Sequence, residues 1–212
     1  MGIINKGILG GFSGTVGNVI GGSWKGITYM RSQPARRSTA QTQPQLEQQL
    51  KFKLVVAFFQ PITALLRISF KGYTAKMTGF NSAVSYALKN AVSGSYPAYD
   101  INYPMALIAR GDLPNAGSPV AAAAAGGNVT FTWTNNAGVG KAKDGDKAML
   151  VVFCPMLNAA VFTTGSAARS AGTETLDVSG FTGEAVETYL SFIAEDGKEV
   201  ATSIYTGHLT II

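Results

Sequence analysis

The chain has 212 residues, enough for one or two domains with a substantial core. Its single cysteine, Cys154, excludes an internal disulfide and every cysteine-cluster metal site, and its single histidine, His208, removes histidine dyads, triads and zinc sites. Only 14% of residues are charged, against about 25% in an average globular domain, and 25 are glycine, a composition suited to surface hidden against neighbours.

The net charge of +5 hides an asymmetry. Residues 1–110 carry twelve Lys/Arg and two acids, a net of +10; residues 111–212 carry five Lys/Arg and ten acids, a net of −5. Halves of opposite sign point to two units, and to one copy's basic half meeting the next copy's acidic half.

In chain order, residues 2–32 place a glycine every two to four positions between β-branched and aromatic residues, which fits short strands and tight turns and opposes helix. Thr15–Ile20 and Gly26–Arg31 are expected to pair as a hairpin across residues 21–25. Residues 33–43 are polar and aperiodic, as in a linker. A helix is expected to open at Thr42 or Gln43, with Pro44 in its first turn, and to run to about Phe59 with Leu46, Leu50, Leu54, Ala57 and Phe58 on one face. Pro61 breaks it, Ile62–Ser69 continues, and a third helix covers about Asn81–Val92. Residues 93–104 read as a connection, and Met105–Ala109 as a short strand.

From Gly117 short apolar runs alternate with turn signals: Val120–Ala125, Val129–Thr134, Ala148–Pro155, Ala159–Thr164, Thr173–Val178, Ala185–Ala194 and Glu199–Tyr205. Seven such runs in about 95 residues predict a sandwich. Val129, Phe131 and Trp133 alternate with Thr130, Thr132 and Thr134, giving one apolar face. Tyr189–Ala194 is apolar on both faces, as a central strand is, and Asp196-Gly197 then makes a tight turn. Cys154, within Met149–Cys154, reads as a small buried hydrophobe.

Two resemblances follow from these residues. With Trp133 in the second run and the stretch Leu176–Tyr189, the C-terminal half resembles a fibronectin type III or immunoglobulin-like domain. That resemblance implies a tyrosine corner at Tyr189, its hydroxyl bonding backbone across the turn, and no catalytic residues. The whole chain, through Gly10–Ile27, Arg31, Pro34 and Gln45–Phe59, resembles a family of uncharacterised Bacteroidota proteins. Its short, basic, Gly-rich opening is more loosely similar to that of some phage structural proteins.

Catalytic signatures are weak. Gly11–Gly17 lacks the Gly-Lys-Ser/Thr ending of a phosphate loop, and Asp144-Gly145-Asp146 lacks the rest of a calcium loop. No cofactor, metal or catalytic residue is expected, and the chain is read as non-enzymatic. Two surfaces remain. Val16, Val19, Ile20, Trp24, Ile27 and Tyr29 form a candidate assembly arm that pairs with another copy through main-chain hydrogen bonds. Arg31, Arg36, Arg37, Lys51 and Lys53, with Arg67, Lys71 and Lys76, form a candidate basic surface for nucleic acid or for a neighbour's acidic face.

The expectation is therefore an α+β module over 1–110 followed by a seven-stranded immunoglobulin-like sandwich over 111–212. The protein is expected to self-associate into a filament or phage-like particle, with nucleic-acid binding or an adaptor role as the alternative. No membrane or small-molecule partner is expected. The opening residues lack a signal peptide's apolar run, so cytoplasmic synthesis is expected.

Overall fold

The structure is a computed structural model that describes residues 2–4, 10–24, 26–35, 40–74 and 77–212. The chain is mixed α+β and divides into two compact units, Met1–Thr42 and Gln43–Ile212.

The first unit is an antiparallel sheet of β1 (Ile3–Ile4), β2 (Phe12–Val16), β3 (Val19–Trp24) and β4 (Ile27–Ser32), in that spatial order. The expected hairpin is shifted. Residues 17–18 are a turn, so Thr15 and Ile20 face each other as partners in different strands. Gly21, Gly22, Ser23 and Trp24 pair with β4, so residues 21–24 lie in a strand instead of in the expected turn. Glycine marks the turn at residues 17–18, and the double glycine expected to be a turn lies inside a strand.

In the second unit, α1 (Gln43–Phe59), α2 (Thr63–Ser69) and α3 (Gly79–Asn90) pack over one face of a sheet. The break between α1 and α2 falls at Pro61, where the ring denies the helix a backbone donor. Thr78 caps α3, its hydroxyl accepting the Asn81 N–H at 3.2 Å. The apolar face of α1 is buried only at its C-terminal end, through Val55, Phe58 and Phe59; Leu50, expected in the core, is 38% exposed. Residues 92–101 form a hairpin, β5 (Val92–Ser95) with β6 (Ala98–Ile101), where an irregular connection was expected. Met105–Ala109 is not a strand: a short 3-10 turn, Tyr103–Met105, leads into a segment bonded by side chains. The Ser69 hydroxyl donates to the Ile108 carbonyl at 2.7 Å, and Ser203 Oγ accepts the Ile108 N–H at 3.0 Å.

The remaining strands are β7 (Gly117–Ala124), β8 (Asn128–Thr134), β9 (Lys147–Cys154), β10 (Ala159–Phe162), β11 (Thr173–Asp177), β12 (Ala185–Ile193) and β13 (Ile204–Thr210). They form two antiparallel sheets, ordered β10-β9-β12-β13 and β11-β8-β7. The last strand begins about five residues later than expected. Before it, Gly197 takes a positive φ in the turn, and the Ala201 N–H still bonds the Phe192 carbonyl.

Side-chain parity explains why β9 is apolar without interruption. Ala148, Leu150, Val152 and Cys154 face the core shared with the three-stranded sheet, whereas Met149, Val151 and Phe153 face the helices. A strand covered on both sides has no polar face to show. Cys154 is fully buried. In β12, Val186, Leu190 and Phe192 face the first of these cores, and Tyr189 and Ile193 the second.

One expectation is corrected by this layering. The helices share a core with the four-stranded sheet, through Phe58 edge-on to Phe153 at 4.9 Å, and both belong to the compact unit Gln43–Ile212. Tyr189 is not a corner tyrosine. Its odd position in β12 turns it toward the helices, and its hydroxyl donates to the Tyr103 carbonyl at 2.9 Å. Among the described residues no single helix is long and apolar enough to cross a membrane; α1 and α2 are so only as a pair bent by 88°.

Candidate functional site

Three places in the molecule hold side chains whose arrangement goes beyond filling a core. The largest is the sheet of residues 1–42. Its register sorts the side chains: Ile20 opposite Arg31, Gly22 opposite Tyr29 and Trp24 opposite Ile27 lie on one face, while Val19 and Val16 face each other on the other. Of the assembly arm expected from sequence, Ile20, Trp24, Ile27 and Tyr29 therefore form one patch and Val16 with Val19 a second. Trp24 is 52% exposed, Ile27 59% and Met30 72%, and no described residue of this unit belongs to either buried core.

Glycine makes room for packing across the strands. A Cβ on Gly21 would sit 2.3 Å from the Phe12 carbonyl and 2.6 Å from the Phe12 ring; one on Gly22 would lie 3.0 Å from the Tyr29 ring. Each glycine accepts an aromatic ring from a neighbouring strand, Phe12 on one face and Tyr29 on the other. Cross-strand pairs of this kind are the unit of sheet stabilisation, each worth about 0.2–1 kcal/mol.

The residues of the candidate basic surface belong to both units. Arg31 lies in the first unit, and Lys51 and Lys53 lie on α1 of the second. Lys51 is stacked on the Tyr99 ring with its ammonium 4.7 Å from the centroid, while Lys53 is exposed. Arg36, Arg37 and Lys76 lie outside the described residues. The charge itself is concentrated: residues 1–42 hold five Lys/Arg and no acid, and residues 43–212 hold twelve of each, so the first segment carries the entire net charge.

The second place is a buried ion pair that sequence spacing did not reveal. Arg169, fully buried, donates through Nε to Asp146 Oδ2 at 3.2 Å, through Nη1 to Asn136 Oδ1 at 2.7 Å and through Nη2 to the Pro114 carbonyl at 2.8 Å. Its guanidinium lies 4.2 Å from the Phe192 ring centroid, and its own carbonyl accepts the Trp133 indole N–H at 2.8 Å. Burial pulls the Arg169 pKa down, with the Asp146 carboxylate opposing that shift. Asp146 Oδ1 is buried without a hydrogen-bond partner among the described residues. The Asp144-Gly145-Asp146 turn, which lacks the rest of a calcium loop, thus contributes one carboxylate to the interior. The residues involved lie 55 positions apart in sequence, which is why no local motif marked them.

The third is Glu187, nearly buried at the edge of the helix-facing layer. Its Oε2 accepts the Tyr205 hydroxyl at 2.6 Å, and its Oε1 lies 2.9 Å from His208 Nδ1. His208 thus has a carboxylate partner, placed two residues along each paired strand; no hydroxyl or thiol among the described residues bonds its other nitrogen. Around this carboxylate the phenols resist ionisation. Tyr103 is pushed up to about 12 by burial and by the charges of Asp100 and Glu187; Tyr189 and Tyr205 are raised by burial first and by Glu187 next. An unfolded tyrosine ionises near pH 10. Above that pH the unfolded chain loses protons that the native chain keeps, so stability is full below about pH 10 and falls as pH rises through about 12. Thermal melts between pH 9 and 12 should show this fall, with part of the phenolate absorbance appearing only on unfolding; flat melting temperatures across that window would contradict it.

Among the described residues no group of three His, Cys, Asp or Glu side chains is placed to hold a metal ion. No curated protein and no solved structure matches the chain. One family model does: it spans residues 11–207, covering the glycine-bearing strands of the first unit as well as both sheets of the second. The chain belongs to that family, the family of unknown function DUF6266.

Proposed function

We propose that this protein is a non-enzymatic structural subunit that self-associates through the sheet of residues 1–42, building a filament or particle from repeated copies. The observation that carries the reading is a four-stranded sheet with large apolar side chains exposed on both faces and no core of its own. A sheet of three or more strands needs an apolar face covered to be stable in water. The occupant is a second copy of the chain. The segment supplies five cations and no acid, and residues 111–212 of each copy offer a net −5, so neighbouring copies attract. Among the described residues strand β4 pairs with β3 alone, leaving a row of backbone groups for a further strand.

In the same reading the body is an immunoglobulin-like sandwich that serves as a spacer. Its strands split first, second and fifth against third, fourth, sixth and seventh, which is the constant-type split with the fourth strand moved to the other sheet. The buried Trp133, packed edge-on to Phe192 at 5.5 Å, supports it, and the different role of Tyr189 departs from it.

A Gly21→Val substitution tests the assembly role. The new side chain clashes with the Phe12 backbone and disrupts the sheet, while the cores at residues 55–211 are untouched. Association should be lost with the melting temperature of the body unchanged; association at wild-type strength would refute the reading. A second reading, single-stranded nucleic-acid binding, is favoured by one observation: Trp24, Tyr29 and Arg31 share a face of the sheet, the pairing of stacking platform and cation that such binding uses. Salt separates the two, since phosphate contacts weaken steeply with ionic strength and apolar contacts do not.

A further inference from the structure

Arg110 is a second guanidinium held by aromatic rings, and it differs from Arg169 in lacking a side-chain acceptor among the described residues. Its guanidinium carbon lies 4.3 Å from the centroid of the Tyr73 ring and 5.4 Å from that of Tyr86. Its backbone is fixed, the N–H donating to the Ser69 carbonyl at 3.2 Å in the segment that Ser69 and Ser203 pin. The two rings hold the plane of the side chain. Among the described residues no carboxylate lies within ion-pair distance of it and no acceptor takes a hydrogen bond from its side chain, although it is only half exposed. An arginine so restrained keeps its five donors oriented and free.

The cavity beside it supplies the rest of a binding site. Tyr73, Tyr86 and Arg110 line it together with Ser85, Lys89 and Asn90. Ser82, Ser85, Tyr86 and Lys89 recur at i, i+3, i+4 and i+7, so they occupy one face of α3 and look into the same space. Among the described residues no acidic side chain lines this cavity, which presents two cations and hydroxyl donors; Asp112 and Glu199 line the adjoining cavity on the other side of Tyr73 and Arg110. We propose that it binds a phosphate group, with Arg110 as the principal ligand and Lys89 at the rim. A planar fork of donors matches two phosphate oxygens, and the second cation suits a dianion better than a single carboxylate charge. Tyr73 and Tyr86 are positioning residues that stop Arg110 from swinging into solvent.

The phosphate has two possible sources, a small phosphomonoester or a nucleic-acid backbone, and the test includes both. Full-length protein is titrated calorimetrically at constant ionic strength with inorganic phosphate, with acetate as the singly charged control, and with a single-stranded oligonucleotide. Saturable binding of one phosphate per chain in the millimolar range or tighter is expected, weakened about tenfold by Arg110→Gln and to a lesser degree by Lys89→Gln. Because Lys89 is exposed, its variant tests the site even if Arg110→Gln fails to fold. Arg110→Lys should bind in between, since it keeps the charge and loses the fork. Oligonucleotide binding with the same dependence on Arg110 would assign the phosphate to a nucleic-acid backbone; a response to inorganic phosphate alone would assign it to a small ligand. Absence of saturation with inorganic phosphate, or binding undiminished in both the Arg110 and Lys89 variants, overturns the proposal.

Discussion

A chain beginning at Gln43 is expected to be monomeric and to melt at the temperature of the full-length protein. Among the described residues, every side chain of both hydrophobic cores lies between Val55 and Ile211, so a chain lacking residues 1–42 keeps all of them. It removes Ile3, Val16, Trp24, Ile27, Tyr29 and Met30, which expose apolar surface on a sheet without a second layer. Burying a side chain of this size contributes about 1.5–3 kcal/mol, so covering even a few of them against another copy suffices for micromolar association after the cost of binding is met. Light scattering of the truncated chain against the full chain, with parallel thermal melts, checks both halves of the statement. A truncated chain that still associates would move the interface onto the body; one that unfolds would show that the sheet supports the body.

Replacing Arg169 by methionine is expected to destabilise the body by about 3–5 kcal/mol, the usual consequence of removing one partner of a buried ion pair. The loss has a clear origin. Asp146 is 1% exposed, and its Oδ1 already lacks a partner, so without Arg169 its remaining oxygen keeps only the Lys143 backbone N–H at 2.9 Å. Asn136 and the Pro114 carbonyl lose donors at the same time. A body of this size shifts by about 2–4 °C for each kcal/mol, so the melting temperature should fall by roughly 10 °C. The double variant Arg169→Met with Asp146→Leu removes both charges and should recover much of the loss, because a buried pair is often no better than apolar residues of the same volume. A single variant within about 1 kcal/mol of wild type would mean that water reaches the Asp146 carboxylate. Chemical denaturation of the three proteins measures all of this.

Legibility in the sequence followed the range of the interactions. The breaks at Pro61, the helix starting at Gln43 and the alternation of Val129, Phe131 and Trp133 depend on neighbours a few positions away, and they fell where periodicity placed them. The uninterrupted run Ala148–Cys154 signalled burial on both faces, but not that one of those faces belongs to helices from the first half of the chain. That pairing joins Phe58 to Phe153 and Tyr103 to Tyr189, contacts with no local signature, and for the same reason the corner expected at Tyr189 was misplaced. Gly21-Gly22 looked like a turn because glycine usually supplies positive φ; here it supplies room for the rings of Phe12 and Tyr29. The cavity beside Arg110 was not read from the sequence, since Tyr73 and Arg110 reach α3 from separate segments.

The most direct measurement is the mass of the full-length protein by light scattering across a range of concentrations, at low and at high salt. Self-association through an apolar sheet predicts a multiple of 22.2 kDa that grows with concentration and survives high salt. A monomer of 22.2 kDa at every concentration and salt would contradict it.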